Sequence, residues 1–438
     1  MMNNLDSLDS LDSLSINNDS ISNETNETNE MNNRKVKKII KLKKKTEKEH
    51  KQVLGQFFTT KYEYILQDFT IPENIVNIIE PFAGDCDLLN FMDIKNATHH
   101  DINGIEIKKY NIELYDIDPK HNYIIKRDTI QNPPSYNDKF ILSNPPYLAR
   151  NKSKEKAVFD KYDVNDLYKC VIKELITNKA LGGILIIPLN FWSSIRLNDI
   201  LLRKEFLEIY NIIQLNIFEE NVFDDTSYTV CSFQFILKYN ISDTMTNSDT
   251  MTNSDTMTNS DTMTNSDTMT NSDTRNELKL TIYPSKTQLI TYLEDKNNYM
   301  FGGEIYKLLN KDTYKITRLT EKNKTKSNTN ILVKCIDDND KNKIGLLFEA
   351  DNDKLYIDDT PNQTARTYAT LIITPSINIE KQKKLVIKFN KYLNDHRKKY
   401  NSLFLTNYRE SKDIARKRIS FDLVYSIVGH ILDNFDIY

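Results

Sequence analysis

The stretch Ile141-Leu142-Ser143-Asn144-Pro145-Pro146-Tyr147 decides how the rest of this 438-residue chain is read. A β-forming run ends in a polar amide, two prolines and an aromatic. Proline fixes φ and removes a backbone donor, so Pro145 and Pro146 stop the strand and hold a rigid loop at its carboxyl end. Carbonyls beside the prolines have no neighbouring N–H competing for partners, Asn144 adds a side-chain acceptor, and Tyr147 adds a flat face. An acceptor cradle beside an aromatic plate suits an amino group on a planar ring. The plainer alternative is a strand end with a turn-forming Asn-Pro, and the flanking sequence has to choose between them.

Upstream, the apolar run Ile75–Ile79 leads into Glu80-Pro81-Phe82-Ala83-Gly84-Asp85-Cys86-Asp87-Leu88-Leu89. A strand ending in an acid, a turn with Gly84 and an apolar helix form the first strand–turn–helix of a doubly wound sheet, whose ligands bind at the carboxyl ends of strands. No second or third glycine is there to cradle a phosphate, and Glu80 would repel one. A cationic or zwitterionic ligand fits better, and S-adenosylmethionine (AdoMet) is one. Ile112–Pro119 then places Asp116 and Asp118 at the end of a second strand, where one carboxylate can accept both ribose hydroxyls of a nucleoside. Tyr123–Thr129 gives a third strand ending in Asp128, and Phe140–Ser143 is the short central strand that delivers the Asn-Pro-Pro-Tyr loop. The ordered series of three acids and this loop at successive strand ends is far more specific than any member alone. Further upstream, Gly55-Gln56-Phe57-Phe58-Thr59-Thr60 puts two aromatics ahead of a threonine cap on a helical pattern (Tyr62, Ile65, Leu66, Phe69), so the loop is expected to pack on a ligand or on the sheet.

Together these motifs resemble the AdoMet-dependent N6-adenine DNA methyltransferases in the gamma arrangement, where cofactor motifs precede the catalytic motif and a target-recognition domain follows. The resemblance implies a class I methyltransferase fold: α/β, a doubly wound, Rossmann-like, seven-stranded mixed sheet with a C-terminal α+β target-recognition domain. It implies that Gln56, Phe57 and Thr59 close over the methionine end of the cofactor, and that Glu80 and Gly84 belong to the glycine-loop motif. Cys86 departs from the pattern, standing where a glycine is usual. Asp116 is similar to the ribose-binding acid, with Asp118 as the alternative, and Asp128 to the acid on the cofactor's adenine amino group. Asn144, Pro145, Pro146 and Tyr147 match the catalytic motif in full, with Asn144 also beside the cofactor and Phe223 at the position of a second stacking face. The likeness continues through Asp166-Leu167-Tyr168 at a helix start, Gly182–Pro188 as the next strand, and Glu220-Asn221-Val222-Phe223. It covers residues 51–240 well and the C-terminal part more loosely. The implied activity is site-specific, adenine-specific DNA methylation with AdoMet as donor and no metal. Three rivals stay open: a protein-glutamine methyltransferase, an RNA-adenine methyltransferase, and a DNA-binding protein with an inactive methylase core.

Composition sets bounds. With 28% charged and 39% hydrophobic residues the chain can build two cores plus tails. A formal net charge of −3 points to no polyanion by itself, so any basic surface must be local. Cys86, Cys170, Cys231 and Cys335 lie far apart and read as free thiols of a reducing compartment. The six histidines form no ligand-spaced cluster. The start of the sequence is unlike a signal peptide, and the longest apolar run, around Leu181–Trp192, is too short to span a bilayer. A soluble, cytoplasmic protein is expected, with nuclear entry through the basic 34–51 segment left open.

The expected domain order is a low-complexity tail (1–33), a basic segment (34–50), the catalytic domain (51–295) and the target-recognition domain (296–438). Tail residues repeat Leu-Asp-Ser and Asn-Glu-Thr, and an insert at 240–276 repeats Thr-Met-Thr-Asn-Ser-Asp five times from Thr244 to Asp273; both are expected to be disordered. Because Leu278–Tyr283 resumes a strand after Tyr228–Leu237, the insert is expected in a hairpin turn. Between Lys381 and Arg418 stand thirteen Lys or Arg against three acids. Arg397, Lys398, Arg409, Arg416, Lys417 and Arg418 are the expected contacts to double-stranded DNA. A monomer is expected, and any paired restriction endonuclease would be a separate protein.

Overall fold

The computed structural model describes residues 59–96, 98–100, 106–223, 228–238, 277–323, 328–336, 338, 343–350, 368–408 and 416–437. The tail, the basic segment, Gln56, Phe57, the hexapeptide repeats and Arg409 lie outside them.

Nine strands make the main sheet: β1 (Asn77–Glu80), β2 (Asn111–Asp116), β3 (Ile125–Lys126), β4 (Phe140–Ser143), β5 (Gly182–Pro188), β6 (Tyr210–Phe218), β7 (Val230–Leu237), β8 (Glu277–Tyr283) and β9 (Thr287–Tyr292). Their order is β9-β8-β6-β7-β5-β4-β1-β2-β3. From β3 to β5 every pairing is parallel, and β7 runs antiparallel between β5 and β6. The seven expected strands are therefore all present as a doubly wound mixed sheet, and β8 and β9 extend it at the β6 edge. Strand order reverses at β1, which has β2 on one side and β4 on the other. In doubly wound sheets ligands bind at such a reversal, outside the carboxyl ends of strands placed as β1 and β4 are.

Local sequence explains the centre of the sheet. Strands β4 and β5 are buried along their whole length, as continuous apolar runs in a parallel sheet should be. Gly183 lets the two approach: a Cβ there would lie 2.1 Å from Ile141 Cγ2 and 2.5 Å from its carbonyl oxygen. Around the sheet run the helices α1 (Tyr62–Ile65), α2 (Ala157–Tyr162), α3 (Leu167–Asn178), α4 (Asn190–Ser193) and α5 (Leu197–Ile209).

Three local expectations change. The expected hairpin between β7 and β8 is not formed: β8 pairs in parallel with β6, while β7 lies on β6's other side. An alternating, half-buried strand has as much to gain from an open sheet edge as from its sequence neighbour. The third strand shrinks to Ile125–Lys126, both exposed, because only one side of it has a partner. After the Gly84 turn the helical segment is a 3₁₀ stretch, Asp87–Asn96, with Leu88, Leu89, Phe91 and Ile94 inward.

A second core follows. Strands β10 (Lys315–Arg318), β11 (Asn328–Lys334), β12 (Gly345–Phe348) and β13 (Tyr368–Thr374) form an antiparallel sheet in the order β10-β13-β11-β12. Helix α6 (Ile379–Tyr400) buries Gln382, Leu385, Phe389 and Leu393, one stripe at helical spacing, and leaves its lysines outside. A two-stranded ribbon, β14 (Thr406–Tyr408) with β15 (Arg416–Arg418), precedes helix α7 (Phe421–Asp433). This region is α+β, as expected.

Candidate active site at the carboxyl ends of the central strands

Asn144 follows β4 directly, at its carboxyl end and beside the reversal of strand order. Its side-chain amide is oriented by two partners: Nδ2 donates to Thr59 Oγ1 (3.0 Å), and Oδ1 accepts from the Tyr147 hydroxyl (2.5 Å). Thr59 reaches this place because side chains of the sheet bind the backbone that follows it. Ser232 Oγ donates to Ile65 O, Asn216 Nδ2 to Gln67 O and Gln234 Nε2 to Thr70 O. Thr59, expected at the cofactor, thus also sets which face of the amide carries the acceptor.

Tyr147 is buried, and its hydroxyl lies between Asn144 Oδ1 and the Ile186 carbonyl of β5 (2.7 Å). Burial pushes its ionisation well above the usual tyrosine range, so it acts as a neutral donor. Three rings stand edge-on to it: Tyr228 at 5.9 Å, Tyr168 at 6.2 Å and Phe223 at 6.5 Å between centroids. Phe223, itself buried, is inclined 65° to Tyr147, so the two rings are not yet the parallel faces of a slot.

On the other side of the reversal, Asp116 ends β2 and is buried. Its Oδ2 accepts the backbone N–H of Gly84 (2.9 Å) and its Oδ1 that of Asp118 (2.8 Å), tying the first turn to the second strand. The Asp118 side chain instead faces solvent in a 3.1 Å pair with Lys120. Beside Asp116 the apolar side chains Ile117, Tyr123 and Ile125 are 41%, 55% and 54% exposed, an unusual run of large apolar surface at one strand end. Asp128 Oδ1 accepts from the N–H groups of Ile130 and Gln131, and Thr129 Oγ1 donates to Pro81 O (2.8 Å). Glu80 ends β1 and is buried. Cys86 adopts φ +62°, the left-handed conformation that a glycine takes without strain; a side chain there costs roughly 1–2 kcal/mol. It belongs to the hydrophobic core of the main sheet.

The expected DNA contacts divide. Arg397 is tied internally: its guanidinium makes a bidentate pair with Asp338 (2.7 and 3.0 Å) and donates to Ile344 O. Lys417 is buried and its Nζ meets Glu219 Oε1 at 2.5 Å. Both, expected at DNA, are engaged in ion pairs within the chain. Lys398 is exposed with Asp395 at 2.9 Å, and Arg418 is exposed. For Arg416 only the backbone, in β15, is described. Among the described residues no group of three His, Cys, Asp or Glu is placed to hold a metal, and no helix is long and apolar enough to cross a membrane.

No family model matches the chain, and no curated protein does. Among solved structures it is similar to one assigned as a modification subunit of a type I restriction enzyme from Vibrio vulnificus YJ016 (12% identity, 46% of this chain and 49% of that one, TM-score 0.31). It is also similar to the type I restriction-modification methyltransferase subunit from Streptococcus thermophilus (12% identity, 51% and 45%, TM-score 0.30). A third is the type IIL restriction-modification enzyme MmeI in complex with DNA (15% identity, 51% and 35%, TM-score 0.32). The chain spans about half or less of the length of these structures.

Proposed function

We propose that this chain is an AdoMet-dependent, site-specific DNA methyltransferase that acts on the N6 amine of adenine. One observation carries the proposal: a side-chain amide oxygen and a prolyl carbonyl follow β4 at the reversal of strand order, across from the buried Asp116 carboxylate. When bound, AdoMet supplies an electrophilic methyl group on a sulfonium. Asp116 and the Gly84 turn would hold its nucleoside, Ile117, Tyr123 and Ile125 would cover its adenine faces, and Asp128 would meet the adenine amine. Asp116 is favoured over Asp118 for the ribose because the latter faces solvent with Lys120.

The N6 amine of adenine is a poor nucleophile because its lone pair is delocalised into the ring. Asn144 Oδ1 and the Pro145 carbonyl would accept its two hydrogens and draw electron density back onto nitrogen. No strong base is required before transfer, because positioning and electrostatics supply the catalysis, and the proton that the methylated amine then sheds would pass to water. Tyr147 presently donates to the same Asn144 oxygen, so the amine has to replace that hydroxyl. Two prolines confine the change to the side chain: as the ring swings out it frees the acceptor and offers its face to the base. Extruding a base from a duplex costs a few kcal/mol, and stacking on one aromatic returns about 1–3 kcal/mol. Phe223 is the second face that closes this gap once the rings turn parallel. Arg409, Arg416 and Arg418, with Lys398, are the remaining candidates for phosphate and base contacts. The enzyme would work inside the cell as a monomer, with any restriction endonuclease a separate chain.

Tritiated AdoMet incubated separately with duplex DNA, RNA and cell protein tests the substrate. Label entering DNA is expected; label confined to protein, or to RNA, would overturn the proposal.

A further inference from the structure

Strands β5 and β6 run in the same sense as β4, because β5 is parallel to β4 and β7 is antiparallel to both β5 and β6. Their carboxyl ends therefore share the edge of the sheet at which Asn144 leaves β4. The ribbon β14–β15 meets that edge at two places. Its first strand lies beside α4, the helix that follows β5. From its second strand Lys417 reaches Glu219 Oε1 (2.5 Å), and Glu219 is the residue that follows β6. The same strand is tied to the second core, since Ile419 donates its N–H to Cys335 O (3.0 Å) and Arg418 is bridged to Ile336. Successive side chains of a strand point to opposite faces. Here Lys417 is 5% exposed, while Arg418 is open to solvent.

Glu219 opens the segment that carries Phe223. Its N–H donates to Tyr283 O (3.0 Å), Glu220 accepts the Tyr64 hydroxyl, Val222 is buried, and Phe223 stands edge-on to Tyr147 at 6.5 Å. Tyr64 belongs to α1, shortly after the Thr59 that orients the Asn144 amide. From Glu219 to Phe223 the chain can reach at most about 14 Å, so a shift of the first is felt by the second. An enclosed ammonium is costly, and a well-packed apolar pair would hold two cores together at least as well. What an ion pair adds is register, because it fixes one carboxylate against one stem. Resting on the methyltransferase reading above, we propose that Lys417 is a positioning residue: through Glu219 it sets the 219–223 segment, so that DNA engaged by the outer face of the ribbon turns Phe223 parallel to Tyr147.

The link is geometric. Lys417 stays on Glu219 and leaves phosphate contact to Arg418. Its loss changes the rate of transfer on bound DNA and leaves DNA affinity alone.

The experiment uses the full chain preloaded with AdoMet and unmethylated plasmid duplex at saturation, and reads the rate of the first turnover. Lys417→Met keeps the apolar stem and removes the charge; Glu219→Gln removes the partner's charge and decides the matter if the first variant fails to fold. Each should slow transfer about tenfold, with an unchanged Kd for DNA. In a Phe223→Ala background the same substitutions should cost less than about twofold, because the residue they act through is already gone. Wild-type rates in both variants, or an equal loss with and without Phe223, would overturn the role of Lys417. A second readout needs no turnover. Phe223→Trp places a fluorophore whose emission should change when the plasmid duplex is added, and Lys417→Met should abolish that change with DNA still bound. A change that depends on Lys417 in a protein that methylates nothing would support the link and overturn the function. A change indifferent to Lys417, or none at all, would overturn the link.

Discussion

Around Asn144 the buried polar groups stand at the carboxyl ends of neighbouring strands; around Asp338 they are matched to one another. Asn144, Tyr147 and Asp116 keep oxygens and a hydroxyl gathered at strand ends, held by contacts that a ligand can extend or exchange. Asp338 is closed off, taking both arms of Arg397, the Ser402 hydroxyl and the Ile344 N–H. Burial pushes the Asp338 carboxyl up, but these donors outweigh it and hold it below the usual aspartate value. The difference separates a charge closed within the fold from the polar groups on which the proposed chemistry depends.

Breaking the two sites should therefore fail in different ways. Asn144→Ala is expected to cost the most, lowering the transfer rate by about 10²–10³-fold or more with an unchanged AdoMet Kd by calorimetry. Arg397→Ala should leave AdoMet binding alone but cost about 3–5 kcal/mol of stability, read by urea unfolding, because it strands a buried carboxylate. The sign with pH follows from the lowered Asp338: the pair's contribution is present above the ordinary aspartate pKa and is lost as the solution is acidified through the folded value. Arg418→Ala should have the smallest effect, a salt dependence of DNA binding shallower by roughly 0.9 in log–log slope for one lost phosphate contact. Lys417→Ala should leave that slope unchanged, its ammonium being occupied by Glu219; an equal loss of slope for both would erase the distinction between engaged and free cations.

Much of the main sheet was legible in sequence because strands in parallel sheets write themselves as short apolar runs ending in polar residues. Ile141 to Tyr147 and Glu80 to Gly84 carried strand and turn in a few residues each. The partner of Asn144 Nδ2 was harder to foresee, since Thr59 lies 85 positions away and arrives only through the docking of residues 65–70 on β6 and β7. The same distance hid the state of the basic residues. Counting arginines and lysines from 381 to 418 cannot reveal that Arg397 pairs with an acid 59 residues upstream, or Lys417 with one 198 residues away. The place of β8 was illegible for a related reason, because its alternating pattern suits either neighbour of an open edge.

The most direct measurement is a nucleoside digest of duplex DNA after incubation with the protein and labelled AdoMet. The proposed grip of Asn144 and Pro145 on a flat amine requires that the label appear as N6-methyldeoxyadenosine, and that it vanish in Asn144→Ala. Labelled N4-methyldeoxycytidine, or an undiminished yield from the Asn144→Ala protein, would contradict it.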